Sequence, residues 1–181
     1  MSEISSANKT VDKSAESCSP NASAQKGVGE VRRVRSQIRR SFAGPGWHGP
    51  SVKETLAGVT AAMAAKKPIA GAHSIWELVL HIEAWMKETT RTLGGETYVS
   101  LTGELDWPVP GHATDTGWAA VLAGVETSHA ALIAAVSEIT EDALCEKVAG
   151  QEFSLYGLLH GVAQHNVYHA GQIALLKKAA G

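Results

Sequence analysis

Four stretches of the chain repeat apolar residues with the period of an α-helix. They run from residue 29 to 44, from 74 to 93, from about 115 to 140 and from 154 to 178. Apolar residues three and four positions apart line one face of a helix, so each stretch predicts an amphipathic helix with a buried side. A shorter helix is predicted from Ser51 to about Val59, and a weak strand patch lies at 98–101. The pattern therefore predicts an all-α fold.

The helix ends and the lengths of the links indicate how these helices pack. Ser74 and Glu77 form a capping-box pattern at the start of the second long helix, and Gly94 follows its end. A long connection then covers residues 94–113, whereas the other links are short. Short links join antiparallel neighbours and a long one allows a crossover. We therefore predict a four-helix bundle whose second and third helices run in the same direction.

Composition divides the chain into a tail and one domain. Residues 1–28 are rich in Ser, Ala, Asn and Lys and contain almost no large apolar side chains, so we expect them to be disordered. Residues 29–181 are long enough for one well-buried domain. The chain is 44% hydrophobic and 19% charged with a net charge of −2, which is typical of a soluble globular protein. We expect no membrane-spanning segment and a cytoplasmic location, since two cysteines are too few for a disulfide framework.

The first long helix carries a cluster of arginines between Arg32 and Arg40. Such a cluster is found either on an anion-binding face or on the solvated outer face of a bundle helix. We favour the solvated face, because no aromatic residues interleave with the arginines and the whole chain is slightly acidic. A nucleic-acid partner is accordingly not expected.

The fourth helix places two histidines, His165 and His169, on its apolar face. Residues four apart lie one above the other on a helix, so both imidazoles can bind the same metal ion. His160 falls on the opposite face, where we expect it to be solvated. The alternative for the pair is two hydrogen-bonded core histidines, and we favour metal binding because both rings lie on the buried stripe. Asn166 follows the first histidine, which excludes the His-Glu-x-x-His metalloprotease motif.

A third histidine on the second helix reaches the same level of the bundle. His81 lies about 10 Å from the start of its helix, and His169 lies about 14 Å from the end of the fourth helix. If these helices are antiparallel, the rings of His81, His165 and His169 meet. Three imidazoles leave an open coordination position, as in catalytic metal sites. His129 lies a turn or two below this level, so we expect it to be a satisfied core histidine.

Two further residues lie close to the predicted site. Glu77 could orient His81 from one turn away, although its capping-box role explains it equally well. Tyr168 lies at the edge of the apolar stripe, where it could donate a hydrogen bond to a metal-bound group, but packing at a helix seam is the commoner use of such a residue.

Three segments together resemble the DinB-like superfamily. They are the helix Tyr156–Lys177, with its Tyr-His-Ala-Gly-Gln-Ile run, the segment His73–Ile82 and the Trp-His-Gly-Pro-Ser loop Trp47–Ser51. The resemblance covers about residues 30–180. It implies an up-down-down-up four-helix bundle and a homodimer. It also implies a divalent metal ion, Zn or Ni, held by three histidines whose positions match His81, His165 and His169.

The resemblance also implies a class of reaction. Characterised members carry out thiol-dependent transfers with bacillithiol or mycothiol, or glutathione-linked isomerisation. We therefore expect a small-molecule substrate and a low-molecular-weight thiol, with hydrolysis as a second possible reaction. The alternative is a non-catalytic, damage-inducible metal-binding protein. Asn166 departs from the Asp often seen at that position, and Trp47 and His48 either line the mouth of the site or only form a turn.

Overall fold

The long helices form where the sequence predicts them. The computed structural model describes residues 29–181, and within this range the secondary structure is helical with no strands. The expected disorder of residues 1–28 lies outside the described residues. The helices are α1 (Glu30–Ala43), α2 (Val52–Leu56), α3 (Ala61–Ala65), α4 (Ile75–Leu93), α5 (Asp115–Ser137) and α6 (Leu155–Ala180).

Side chains with oxygen atoms cap the N-termini of most of these helices. The Ser51 and Ser74 side chains each accept a hydrogen bond from the backbone of a glutamate three residues later, and each glutamate reaches back to the backbone of the serine. This confirms the capping box predicted for Ser74 and Glu77. Thr114 and Ser154 cap α5 and α6 through their hydroxyl groups. Each cap satisfies a backbone N–H that has no partner inside the helix, which contributes about 1 kcal/mol.

The connections differ from the sequence prediction in two places. The single short helix expected after Ser51 is two helices, α2 and α3, separated by Gly58 with a φ of 75°. A positive φ is open to glycine at little steric cost, so the chain turns there. Residues 98–101 form no strand, because the Val99 N–H binds the carboxylate of Glu88 on α4 and no other strand is present to pair with it within residues 29–181.

The four long helices share one hydrophobic core. α4 packs against α5 and α6, and α1 packs against the same two helices. The apolar stripes that predicted these helices face inward, and burying one large aliphatic side chain contributes about 1.5–3 kcal/mol. The largest fully buried side chains include Ile38, Trp76, Ile82, Leu132, Leu159 and Ile173.

The helix α5 differs from the expectation that no segment of the chain could span a membrane. α5 is long and apolar enough to span a bilayer by length and composition alone, with a mean hydropathy of 1.6 in its most apolar window. The helix combines valine, leucine and isoleucine residues with several alanines that lie on its exposed side, such as Ala119, Ala123 and Ala130. The same helix buries His129 and Ser128 against its neighbours. The absence of a membrane partner stays a prediction.

Candidate metal centre

Three histidines from two helices converge at the seam between α4 and α6. The Nε2 atom of His165 lies 2.9 Å from Nε2 of His81 and 3.0 Å from Nε2 of His169. One ligand atom from each residue lies within 4.8 Å of the other two. The structure therefore brings together the three residues that the helical phases and depths selected.

The helices fix this convergence through burial. His81 and His169 are 6% and 5% exposed, respectively, and His165 is half-buried. His165 and His169 follow one another by one turn of α6, and His81 projects from α4 at the same level. Buried apolar residues of both helices, such as Ile82 on α4 and Ile173 on α6, belong to the same core and fix the position of the two helices.

Oxygen atoms on the far side of two rings set their orientation. Nδ1 of His81 lies 2.7 Å from the main-chain oxygen of Asp106 and 3.1 Å from its carboxylate. Nδ1 of His169 lies 2.6 Å from the amide oxygen of Gln172. Since these oxygens are acceptors, each Nδ1 carries the proton of a neutral ring. The Nε2 lone pairs of His81 and His169 then point toward the cluster.

The buried position also keeps the two clustered rings on α6 neutral. Burial, together with the nearby His169 and His81, lowers the pKa of His165 to about 3. Burial lowers the pKa of His169 as well, although its hydrogen bond with Gln172 opposes that change. A neutral imidazole is the form that binds a metal ion, so no proton has to leave these two side chains near pH 7.

The hydrogen-bond inventory of the cluster fits a cation. A neutral imidazole carries one proton, so Nε2 of His165 can donate to His81 or to His169 but not to both. One buried Nε2 lone pair is then left facing another nitrogen without a proton between them. A divalent ion among the three nitrogens would accept all three lone pairs, and imidazole suits Zn and Ni. The residues therefore fit the expected metal.

The long connection between α4 and α5 completes the site. Besides contacting His81, Asp106 accepts a hydrogen bond of 2.7 Å from the indole N–H of Trp85. Trp107 stacks almost parallel on His81, with ring centroids 3.9 Å apart, and on His73 at 3.5 Å. Sequence reasoning missed Asp106 and Trp107, because an irregular connection has no periodicity that predicts where its side chains point.

Two cavities reach the cluster from different sides. One, of about 340 Å³, is lined by Trp107, Tyr168, His169 and Gln172 among others. The other, of about 440 Å³, is lined largely by apolar and aromatic side chains and reaches His165. Neither cavity is lined by an aspartate or glutamate within the described part of the chain. A small molecule can therefore approach the three histidines from either side.

The other residues suggested by the sequence lie in different positions. The carboxylate of Glu77 accepts hydrogen bonds from the Ser74 backbone and from Lys67, so its capping role is observed. The residue that contacts Nδ1 of His81 is Asp106. Trp47 is fully exposed, and with His48 it lines a groove that includes Tyr168 but none of the three histidines.

Tyr168 lies between the two regions. It is 64% exposed, and its ring packs edge-on against His169 with centroids 5.0 Å apart. It also lines the cavity that contains His169. Tyr168 is thus the one residue of the predicted rim that adjoins the cluster directly.

The remaining core histidines stay outside the cluster. His129 is buried and stacks on Phe42, as a core histidine should, but its Nε2 atom has no hydrogen-bond partner. His129 is thus a core histidine outside the cluster, hydrogen-bonded to the backbone of Ile38 but unsatisfied at Nε2. His160 was expected to be solvated but is half-buried, because its ring packs edge-on against Tyr156. Its Nε2 atom is buried and has no hydrogen-bond partner.

The family follows from comparison with known protein families. The model of the DinB superfamily matches residues 49–173, which include His81, His165 and His169. The chain belongs to the DinB superfamily. No curated protein and no solved structure matches the sequence significantly. Proteins of the DinB type bind metals, and the clustered histidines of this DinB protein agree with that property.

Asn166, between the two clustered histidines of α6, belongs to a different helix seam. Asn166 is fully buried and donates a hydrogen bond of 3.0 Å to the hydroxyl of Ser41 on α1. It therefore points to the α1–α6 seam, while His165 and His169 point to the α4–α6 seam. The side chain of Asn166 therefore binds α1 and not the three histidines.

Proposed function

We propose that this protein is a metal-dependent enzyme that transfers a low-molecular-weight thiol to or from a small-molecule substrate. His81, His165 and His169 would hold Zn or Ni with an open coordination position. The observation that carries the proposal is the convergence of three imidazole nitrogens, one of them 2.9 Å and 3.0 Å from the other two, at the edge of two cavities.

The bound metal would supply Lewis-acid chemistry that lowers the pKa of a thiol or of water and makes a nucleophile at neutral pH. The side chains of the protein orient the ligands: Asp106 holds the Nδ1 proton of His81, and Gln172 holds that of His169. Trp107 covers one face of His81 and excludes water from it.

The lower pKa of a thiol favours it over water as the nucleophile. A free thiol has a pKa of about 8.5, whereas that of water is 15.7, so a thiol needs much less help to ionise. No carboxylate lines either cavity in the described residues, so none is placed there to act as a general base. Hydrolysis stays the second candidate reaction, because a metal ion can also activate water without a protein base.

We also infer the up-down-down-up arrangement of the four long helices. The contact between Trp76 and Trp118, near the starts of α4 and α5, supports a parallel pair joined by the crossover. The hydrogen bond between Ser128 and Glu83, further along both helices, supports the same direction. His81 meets His169 while Trp85 meets His165, which supports an antiparallel α4 and α6. Homodimer formation and a cytoplasmic location are part of the proposal and rest on the family and the composition.

Metal analysis followed by a reaction screen tests the proposed function. Purified protein should contain close to one Zn or Ni ion per chain. The loaded protein should then consume a thiol such as bacillithiol, mycothiol or glutathione in the presence of an electrophile. Full metal content without turnover of any thiol or ester would favour a non-catalytic metal-binding protein. Absence of stoichiometric metal would overturn the proposal itself.

A further inference from the structure

The cavity next to His165 differs in character from the one next to His169. Its walls are formed by the aromatic rings of Trp85, Tyr98 and Phe153 together with Leu158 and Val162. The Tyr98 and Phe153 rings meet edge-on with centroids 5.4 Å apart, and Tyr98 lies 6.5 Å from Trp85. Trp85 in turn meets His165 edge-on at 6.3 Å. A continuous aromatic wall therefore leads from the surface to one of the three histidines.

The floor of this cavity is made by two glycines on α6. Gly157, Gly161 and His165 follow one another at intervals of one turn, so they lie on the same stripe of the helix. Gly161 is exposed, and a Cβ atom built there meets no other atom within 4 Å. Any larger residue at this position would place its side chain over the stripe that leads to His165.

Polar groups of this cavity are few and mostly engaged elsewhere. The Thr89 hydroxyl donates to the main-chain oxygen of Trp85, and the Trp85 indole N–H donates to Asp106. Burial raises the pKa of the Tyr98 hydroxyl, which keeps it neutral. A charged or strongly polar ligand would lose its hydration here and find few partners, whereas an apolar ring would lose little.

From these contacts we infer that the aromatic cavity binds the apolar, aromatic part of the substrate while its reacting end lies at the three histidines. The inference rests on the proposed function, since it assigns a substrate class to the same site. The volume of about 440 Å³ is within the range of small-molecule sites and holds a substituted benzene ring. Rings that pack edge-on are attracted beyond the burial of their area, so the wall selects aromatic over aliphatic groups.

Two thiols that differ by an aromatic ring test the inference on the full-length, metal-loaded protein. With cobalt in the site, sulfur ligation produces a charge-transfer absorption band that measures the affinity of each thiol. (4-Fluorophenyl)methanethiol should bind at least about tenfold more tightly than 2-mercaptoethanol, because its ring is removed from water. Equal affinities for the two thiols would overturn the inference.

Two glycine substitutions on the same helix localise the effect. Gly161→Leu fills the cavity and should reduce the ratio of the two affinities to about one. Gly171→Leu is the matched control, since Gly171 is also exposed and open but lines neither cavity. Circular dichroism and metal content show whether each variant is folded and loaded. A preference that persists in a folded Gly161→Leu variant contradicts the assignment.

A measurement without metal separates this inference from the proposed function. If neither thiol produces the absorption band, the proposed thiol chemistry has failed, but the cavity is still present. The ¹⁹F signal of 4-fluorotoluene should then broaden with metal-free wild type and with Gly171→Leu, and less with Gly161→Leu. The same broadening for all three proteins would overturn the assignment of the cavity.

Discussion

The imidazole of His81 lies flat against the indole of Trp107, with ring centroids 3.9 Å apart and an interplanar angle of 4°. The neighbouring Asp106 binds Nδ1 of the same imidazole. Two consecutive residues of the α4–α5 connection therefore fix both the plane and the rotation of one predicted ligand. The α4–α5 connection therefore contacts the candidate metal centre directly. We expect substitutions in this connection to change the affinity for metal.

Each of the three clustered histidines should be required for metal binding. Replacing His81, His165 or His169 with Ala removes one of three nitrogen ligands, so we expect metal affinity to fall by more than about 100-fold. Metal content after dialysis against a weak chelator measures the loss. His160→Ala is the control, because it changes a histidine on the same helix that lies outside the cluster. Full occupancy in the three cluster variants would contradict the site.

Asp106 should act on the metal through His81. Asp106→Ala removes the carboxylate beside Nδ1 while the main-chain oxygen at 2.7 Å remains, so metal affinity should fall by about 10-fold. Competition with a chromophoric chelator gives the affinity. Glu104→Ala, in the same connection and exposed, should bind metal like the wild type. Unchanged affinity in the Asp106 variant would show that the main-chain oxygen and the packing of Trp107 position His81 without the carboxylate.

How far the sequence predicts this structure depends on whether a residue lies in a regular helix. Val34, Ile38 and Phe42 are buried as their spacing predicts, because a helix can bury only the stripe that its period defines. The same periodicity placed His81 and His169 at one level, and the structure brings them together. Helical phase, combined with the depth of each histidine along its helix, thus predicted the three-histidine cluster.

Contacts made by irregular segments could not be predicted in this way. Asp106 lies 25 residues after His81, and its position depends on the path of the whole connection. The helix α3 was missed because its sequence, Ala61–Ala65, contains four alanines and no apolar periodicity. Its boundaries come instead from the Thr60 cap and from packing against the long helices.

The metal-free protein should lose stability as the solution becomes acidic. Since the pKa of His165 is lowered to about 3, the unfolded chain binds a proton between that value and about 6.5 while the folded chain does not. The contribution of His165 to the free energy of unfolding is therefore fully present above pH 6.5. Below that pH it decreases by about 1.4 kcal/mol per pH unit. The lowered pKa values of His169 and His129 act in the same direction.

Urea unfolding of metal-free protein between pH 7.5 and 5 measures this slope. His165→Gln removes one titrating group, so its unfolding free energy should depend less steeply on pH than that of the wild type. Gln164→Ala, which changes an exposed residue without a titrating group on the same helix, is the control and should retain the slope of the wild type. Identical slopes for wild type and His165→Gln would contradict a buried, neutral His165.

The hydrogen bond between Asn166 and Ser41 should stabilise the α1–α6 seam without affecting the metal. Ser41→Ala leaves the buried amide of Asn166 without an acceptor for its N–H, in addition to its oxygen atom, which already has no partner. An unsatisfied buried donor costs about 1–3 kcal/mol, so the free energy of unfolding should fall by that amount. Ser36→Ala, on the same helix but away from Asn166, should change it by less than about 0.5 kcal/mol. Metal content should equal that of the wild type in both variants, because Asn166 faces α1 and not the three histidines.

A loss of metal in a folded Ser41→Ala variant would contradict this expectation. It would show that the α1–α6 seam and the α4–α6 seam are coupled.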